Sequence, residues 1–155
     1  MKLLIFSDSH GNVANMEDAV RLEHPDRVLH LGDLARDAEA LQEKFPDIPI
    51  TYVPGNCAGR RPDLPEERVF SLEGVRIFMT HGHNYHVKLG FWAVERAARE
   101  AGANLLCFGH THEDLCQFRS GLWLVNPGAA GALSRPTYAV AVLEEGGAVC
   151  YISPI

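Results

Sequence analysis

The feature that most constrains the fold is an apolar segment followed at once by a glycine-containing polar turn, a pattern that recurs along the chain. In its first occurrence, residues 3–6 predict a buried strand, and Asp8 and His10 follow it two residues apart. Side chains two residues apart in an extended segment project to the same side, so this carboxylate and imidazole are placed to hold one metal ion. Alone the pair is a weak signal, because an Asp near a His is also typical of a solvated turn that caps a helix.

Four further apolar segments end in the same way, each with a side chain of a type that binds metals. These side chains are Asp33, Asn56, His81, and the pair His110 and His112. Ligand sites in α/β sheets lie outside the carboxyl ends of the strands, so five strands that end on one edge would bring all seven side chains together. We therefore predict one joint metal site.

Other histidines do not fit this pattern. His30 lies inside a strand pattern with no glycine beside it, and we interpret it as structural. His24 and His86 are interpreted as surface or loop residues. His83 follows His81 by two residues, and it either lines a substrate pocket or is an ordinary loop histidine.

The spacing of apolar residues predicts helices that alternate with strands in the first half and mostly strands in the second. Helices are predicted over residues 12–23, 37–44 and 89–100, with Asp37 as the N-cap of the second and Leu22 on the inner face of the first. Strands are predicted over residues 2–7, 27–30, 50–53, 68–72, 75–80, 105–108, 114–119, 122–125, 138–143 and 148–152. This order favours an α/β fold in which two sheets pack face to face with helices outside.

Composition limits the class of protein. With 155 residues, 46% of them hydrophobic, we expect a single domain over residues 1–155. The net charge of -6 argues against strong nucleic-acid binding, which needs a basic face, and it disfavours a nuclease. We expect neither a membrane span nor a signal peptide, because no apolar segment is long enough. The four cysteines form no Cys-x-x-Cys motif, so we expect free thiols and a cytoplasmic location.

Two metal ions suit the seven ligands better than one. Two carboxylates, one amide and four imidazoles are more than a single ion would use while keeping a position open for substrate. The mixture of oxygen and nitrogen ligands favours transition metals over Ca or Mg alone. We expect two divalent transition-metal ions, with Mn preferred and Ni, Fe, Zn or Co as alternatives.

The order of these residues resembles the calcineurin-like metallophosphoesterases, and most closely their short, uncapped prokaryotic phosphodiesterases. The matching blocks are Asp8-x-His10, Gly32-Asp33, Gly55-Asn56, His81 and Gly109-His110-x-His112. The resemblance spans nearly the whole chain. It implies a four-layer αββα sandwich of two mixed β-sheets flanked by helices.

The same resemblance implies a role for each matching residue. One metal ion would be held by Asp8, His10 and His112, the other by Asn56, His81 and His110, and Asp33 would bridge them. The implied reaction is hydrolysis of a small phosphoester by attack of a metal-bridging hydroxide. Asn56, His81 and His83 are therefore our candidates for catalytic residues.

The sequence departs from the wider family at two places. Many members have Gly-Asn-His followed by an acid, and that His is thought to protonate the leaving group, whereas this chain has Cys57 and Ala58. Esters with poor leaving groups should then be the worst substrates. Cys57 is disfavoured as a nucleophile because no separate base beside it is apparent. The family's Asn-Pro-Gly-Ser block ends here in Ala129, and we interpret residues 126–131 as a tight turn.

Three functions remain in competition at this point. The leading one is a phosphodiesterase, and the second is a phosphomonoesterase that uses the same site. The third is a non-catalytic interaction scaffold that resembles the retromer subunit of this fold, which has an incomplete metal site. All seven ligand positions are filled here, which favours an enzyme. The sequence leaves the natural substrate, the metal and any oligomer open.

Overall fold

The architecture consists of two five-stranded sheets, built from strands whose positions agree closely with the apolar segments of the sequence. The structure is a computed structural model that describes residues 1–57 and 59–155. Its strands are β1 (Lys2–Phe6), β2 (Arg27–His30), β3 (Ile50–Tyr52), β4 (Glu67–Leu72), β5 (Val75–Thr80), β6 (Leu105–Cys107), β7 (Leu115–Arg119), β8 (Leu122–Asn126), β9 (Thr137–Glu144) and β10 (Gly147–Pro154). Its α-helices are α1 (Val13–Glu23), α2 (Ala35–Lys44) and α3 (Trp92–Glu100).

Both sheets contain parallel and antiparallel strands. The strand order is β10-β9-β1-β2-β3 in the first sheet and β4-β5-β6-β8-β7 in the second. Strands β1, β2 and β3 are parallel, and so are β5, β6 and β8, while hairpins add the antiparallel strands. The α/β architecture of two mixed sheets flanked by helices is thereby confirmed.

Three apolar clusters lie between successive layers of the molecule. The central cluster joins the two sheets and contains Leu3 and Ile5 of β1 and Ile77 and Met79 of β5. A second cluster packs α1 and α2 on the first sheet, and a third packs α3 on the second sheet. Strands that are covered on both faces read as continuous apolar runs, which is why β1 and β6 were recognisable in the sequence. No helix of the described residues has the length and apolar character needed to cross a membrane.

Backbone hydrogen bonds continue beyond the strand ends and tie the polar turns to one another. The N–H of Asp8 donates to the carbonyl oxygen of Gly32 at 2.8 Å, which joins the turns after β1 and β2. In the second sheet the N–H of Gly109 donates to the carbonyl oxygen of His81 at 2.9 Å. The polar turns of each sheet are thus fixed together at its carboxyl edge.

Three expectations about the helices were wrong. Leu22 is 72% exposed, and the buried residues of α1 include Glu17, whose carboxylate binds Lys44 at 2.9 Å and Arg21 at 3.2 Å. Helix α2 begins at Ala35 rather than at Asp37. Leu34, which has a left-handed backbone conformation, is the residue that precedes the helix, and Asp37 lies buried within its first turn.

The third helix also begins later than expected. Residues Val87–Leu89 form a short 3-10 helix, and α3 starts only at Trp92. Gly90 lies between them with φ 143°, a conformation that other residues rarely adopt and that ends the first segment.

The burial pattern of α1 leads to the first prediction. Met16 is fully buried against the first sheet, so Met16→Ala should lower the free energy of unfolding by about 2–5 kcal/mol through lost apolar contact and a cavity. Leu22→Ala on the same helix should change it by less than about 0.5 kcal/mol. Urea denaturation of both variants makes the comparison. Equal losses would contradict the orientation of α1.

Candidate metal centre

Asp8 lies at the centre of the polar turns, directly after β1. Its Oδ2 atom accepts hydrogen bonds from the Ser7 hydroxyl at 2.6 Å and from the His110 N–H at 3.1 Å. Its Oδ1 atom is buried and has no hydrogen-bond partner among the described residues. The Nε2 atom of His112 lies 3.2 Å from this oxygen, and those of His10 and His81 each lie 3.9 Å from it. One oxygen of Asp8 is therefore anchored and the other faces three imidazoles.

Asp33 is held in a similar way after β2. The N–H groups of Asn56 and Cys57 donate to its Oδ1 atom at 2.8 and 3.1 Å, and the Cys57 thiol donates to Oδ2 at 3.1 Å. His10 and His81 approach its carboxylate oxygens with Nε2 at 3.5 Å. Burial opposes ionisation, but His81 and the donated hydrogen bonds outweigh it and lower the pKa of Asp33 to about 2. Asp33 is therefore a carboxylate at neutral pH.

The protonation of His81 follows from its hydrogen bonds. Its Nδ1 atom lies 2.9 Å from the carbonyl oxygen of Leu31, which can only accept, so Nδ1 carries the proton and Nε2 presents its lone pair to the site. The Nδ1 atom of His110, 3.1 Å from that lone pair, must then be the donor. Burial lowers the pKa of both imidazoles, which keeps them neutral as metal ligands must be.

These side chains fit a divalent metal ion. Three groups offer ligand atoms that all lie within 4.8 Å of one another, namely Asp8 with His10 and His112, Asp8 with Asp33 and His81, and His10 with Asp33 and Cys57. Carboxylate oxygens and neutral imidazoles are ligands for transition metals, and a cation would supply the missing partner of the buried Asp8 oxygen. The hydrogen bond from Nδ1 of His81 to a carbonyl fixes the ring in the way typical of metal-binding histidines.

Two glycines allow the close approach of other elements to the carboxylates. A Cβ atom on Gly55 would lie 2.6 Å from the backbone nitrogen of Asp33. A Cβ atom on Gly109 would lie 2.8 Å from the Cβ atom of Ser7 and 3.0 Å from Oδ2 of Asp8. The distances of 2.6 and 2.8 Å are shorter than real Cβ contacts allow, so any larger residue would displace Asp33 or Ser7 and the carboxylates beside them.

The backbone of the polar turns takes a conformation that most residues avoid. Asp8, His10, His110 and His112 have φ values of 53°, 46°, 72° and 61°, in the left-handed region. Such conformations cost free energy for residues with a Cβ atom and tend to persist at functional sites, where the surroundings hold them in place. Four of the six Asp and His candidates therefore depend on tertiary contacts for their backbone conformation.

A buried polar network lies behind Asp8 and His10. Nδ1 of His30 accepts from the Gly32 N–H at 3.2 Å, so Nε2 carries the proton and donates to the Ser9 hydroxyl at 3.0 Å. Ser9 donates in turn to Asp37 at 2.7 Å, and Asp37 also accepts from the Gly11 N–H at 2.7 Å. His30 is fully buried, and burial lowers its pKa to about 4, so it is neutral. The structural interpretation of His30 is confirmed, and Asp37 supports the turn after β1.

The block at residues 126–131 does more than form the expected tight turn. The Asn126 side-chain amide donates to the carbonyl oxygen of Gly109 at 3.2 Å and to the Thr111 hydroxyl at 3.0 Å. The N–H of Gly131 donates to the carbonyl oxygen of Asp8 at 3.1 Å. This block therefore braces both the turn after β1 and the turn after β6. Sequence analysis missed this role, although Asn126 at the end of an apolar run resembled the other site positions.

Asn56 and His83 lie at the mouth of the site rather than within its buried part. Asn56 is exposed and reaches Asp33 through its backbone N–H. The His83 ring centroid lies 5.5 Å from that of His81, and its Nδ1 atom is buried without a hydrogen-bond partner among the described residues. Both residues line a groove of about 670 Å³ beside the site. His83 thus lines a groove at the metal centre, and His24 and His86 are exposed as expected.

Cys57 is closer to the centre than sequence analysis anticipated. The hydrogen bond to Asp33 and burial raise the pKa of its thiol, which is therefore protonated and a poor nucleophile. The signal for its position was its place directly after Asn56 in the Gly-Asn block. The expectation for Ala58 lies outside the described residues.

Residues 1–146 match the calcineurin-like phosphoesterase superfamily domain. The chain belongs to this superfamily. A Bacillus subtilis relative named probable metallophosphoesterase YsnB is 32% identical over 96% of this chain and 88% of its own length. Phosphodiesterase MJ0936 of Methanocaldococcus jannaschii is 28% identical over 83% of each chain. The family resemblance of the short prokaryotic type is thus confirmed.

Solved structures share the fold at lower sequence identity. A Streptococcus pneumoniae protein described as a predicted phosphoesterase superposes with a TM-score of 0.76 at 23% identity, covering 98% of this chain and 97% of its own. Vps29 of Entamoeba histolytica, in complex with Zn²⁺, has a TM-score of 0.78 at 18% identity and covers 99% of each chain. At these identities the likeness concerns the fold alone.

The close packing at Gly109 generates a prediction. Gly109→Ala should push Ser7 and Asp8 away from position 109. It should lower the free energy of unfolding by about 1–3 kcal/mol and weaken metal binding. The matched control is Gly147→Ala, because a Cβ there meets only a carbonyl oxygen at 3.4 Å, far from the site. Denaturation and metal analysis of both proteins provide the test. Wild-type metal affinity in Gly109→Ala would contradict the tight packing around Asp8.

Proposed function

We propose that this protein is a phosphodiesterase that uses two divalent transition-metal ions to hydrolyse a small phosphoester. The observation that carries the proposal is the buried Oδ1 atom of Asp8, which has no hydrogen-bond partner among the described residues and faces the Nε2 atoms of three histidines. In a chain of the phosphoesterase superfamily, this arrangement supports a metal centre. The relative named phosphodiesterase MJ0936 supports diesters as the substrate class.

The proposed ligands form two overlapping sets. Asp8, His10 and His112 hold the first ion, and His81, His110 and Asn56 hold the second, with Asp33 between them. Asp8 and Asp33 each belong to two of the groups with converging ligand atoms, which supports a shared carboxylate between the two ions. When bound, a pair of such ions supplies positive charge to the phosphoryl oxygens and lowers the pKa of a water molecule toward neutrality.

The chain's own residues hold this geometry and leave it accessible. Leu31 fixes the His81 ring, and binding of a second ion at Nδ1 of His110 would require the neutral tautomer that carries its proton on Nε2. His10 and His112 are exposed on one side of the centre, while Asp8 and Asp33 are buried on the other. Substrate therefore approaches the exposed part of the centre, where His10, His112 and Asn56 lie. An open approach of this kind restricts the leaving group weakly and suits a diester with a bulky arm.

A non-catalytic interaction scaffold is the second candidate. The observation in its favour is the likeness to Vps29, which binds Zn²⁺ in a solved structure of the same fold. Against it stands the complete set of seven ligand-type residues in this chain. A phosphomonoesterase is the third candidate, and the protonated thiol at Cys57 argues against it, because a thiol with a raised pKa is a weak proton donor.

Activity should depend on bound metal. Chelation with EDTA followed by dialysis should abolish hydrolysis of bis(p-nitrophenyl) phosphate, and Mn, Ni or Co should restore it. Metal analysis should find about two ions per chain in wild type. Asp33→Asn removes a charge shared by both ions, so it should reduce metal occupancy and turnover more than Asn56→Ala does.

The matched control for charge removal is Asp18→Asn, because Asp18 is exposed on α1. Full activity of metal-free protein would exclude the proposed chemistry. Normal occupancy in Asp33→Asn would assign the bridge to Asp8.

Substrate choice should follow the leaving group. Without a strong acid at Cys57, wild type should cleave aryl diesters well and alkyl monoesters such as glycerol phosphate poorly. Cys57→His should raise kcat/KM for glycerol phosphate more than for bis(p-nitrophenyl) phosphate, by roughly tenfold or more. Cys57→Ser serves as the control for loss of the thiol. Efficient monoester hydrolysis by wild type would show that His83 or another group already donates the proton.

A further inference from the structure

The cations that have no partner among the described residues lie on segments that also carry or contact the proposed ligands. Most Lys and Arg side chains form an ion pair or donate a hydrogen bond within the protein, as Lys44 does with Glu17 at 2.9 Å. Within residues 1–57 and 59–155, those with neither kind of contact are Arg36, Arg60, Lys88 and Arg135. These four remain unpaired among the described residues although the chain has a net charge of -6.

Arg60 has the most direct relation to the proposed substrate position. It is exposed and lines the groove of about 670 Å³ together with Asn56 and His83. Its neighbour Arg61 is already bound to Glu39 and to Asp63, so the free positive charge in this groove is that of Arg60. A free guanidinium is the group best suited to bidentate binding of a phosphate.

Lys88 lies in the short 3-10 helix Val87–Leu89 that follows His83 and is exposed. It lines a hollow of about 370 Å³ with Thr111, the residue between His110 and His112.

The remaining two cations complete this arrangement. Arg36 lies in the first turn of α2 and lines a hollow of about 140 Å³ with Cys57. Arg135 belongs to the loop that follows Gly131, whose N–H binds the carbonyl oxygen of Asp8 at 3.1 Å. All four unpaired cations are thus on segments that also contact or carry the proposed ligands.

Acidic residues divide these cations from one another. Glu66 lines the Arg60 groove and Glu113 lines the Lys88 hollow. The cations therefore form separate points of positive charge rather than the continuous basic face that a nucleic-acid strand requires. Separate points suit a short ligand that carries one or two further anionic groups.

We infer that the substrate is a small phosphoester with a second phosphate group, which Arg60 binds while the metal centre takes the scissile ester and Lys88 adds longer-range attraction from its separate hollow. The inference rests on the proposed phosphodiesterase function for the scissile group. The second phosphate is recognised by charge at an open mouth, so its contribution should weaken as salt screens the interaction.

A matched pair of substrates tests this inference. One is the p-nitrophenyl diester of thymidine 5′-phosphate, and the other is the same compound with an additional 3′-phosphate. In both, water attacks the diester phosphorus, the bond to the aryl oxygen breaks, and p-nitrophenolate leaves with the bonding electrons. Wild type should show a several-fold higher kcat/KM for the compound with the 3′-phosphate, and the preference should shrink between low salt and about 0.5 M NaCl.

Variants that each remove one positive charge identify the residue that binds the second phosphate. Arg60→Gln should reduce the ratio of the two kcat/KM values roughly threefold, and Lys88→Gln should do so to a smaller extent. Lys44→Gln removes the same charge at the far end of α2, about 13 Å from the helix start, and should leave the ratio unchanged. Equal reductions in all three variants would indicate a general charge effect and overturn the assignment to Arg60.

The remaining outcomes separate the inference from the proposed function. Hydrolysis of both substrates with equal kcat/KM would overturn the inference and retain the phosphodiesterase. If neither substrate is hydrolysed, the proposed function fails, and calorimetric titration with thymidine 3′,5′-bisphosphate and thymidine 5′-phosphate decides the inference by binding alone. Tighter binding of the bisphosphate, lost in Arg60→Gln, would support it. A single-stranded oligonucleotide that binds more tightly than the bisphosphate at Arg60 would overturn it in favour of a nucleic-acid ligand.

Discussion

The site depends on two buried carboxylates held close to one another, Asp8 and Asp33. Burial of a charged group costs several kcal/mol unless hydrogen bonds or opposite charges compensate it. Backbone N–H groups, a hydroxyl and a thiol supply part of this compensation. One oxygen of Asp8 receives none among the described residues, and the nearest groups are the Nε2 atoms of three histidines. A cation is the partner that satisfies both the carboxylates and the imidazoles.

The rest of the fold serves to keep these groups in place. The parallel strands of each sheet end together at its carboxyl edge, and hydrogen bonds beyond the strand ends join the turns in pairs. Gly55 and Gly109 let the neighbouring turns approach the carboxylates, and Asn126 braces the turn that carries His110. The left-handed backbone of four candidate ligands is tolerated because these contacts hold it. The apolar core holds the strands in place, and the turns after the strands carry the candidate metal ligands.

Charge is distributed unevenly over the molecule. Elsewhere, most cations are paired with nearby carboxylates, as with Lys44 and Glu17 or Arg99 and Glu95, and others bind a hydroxyl or backbone carbonyl oxygens. Around the mouth of the metal centre, cations keep their charge available for a ligand. A net negative protein that attracts an anionic substrate needs this kind of local excess, since the field at a cleft is set by the nearest charges rather than by the total.

The sequence by itself determined the strands, the α/β class and the family, and it predicted the candidate site positions. It could do so because buried strands are continuous apolar runs, and because Asp, Asn and His side chains directly after such runs have few other roles. The predicted meeting of Asp8, His10, Asp33, His81, His110 and His112 agrees with the structure. The specific metal pairing stays a prediction, since it depends on bound ions.

Tertiary structure alone decided the features that rest on contacts between distant segments. Glu17 is buried on α1 in place of Leu22 because Lys44 of α2 lies opposite it. Asp37 supports the turn after β1 instead of capping α2, because Ser9 and Gly11 reach it across 26–28 residues of sequence. Local periodicity reports only which face of a segment is apolar. The partner of a buried polar side chain is decided when the sheets and helices pack. The local sequence pattern does not indicate that partner, because it lies on a distant segment.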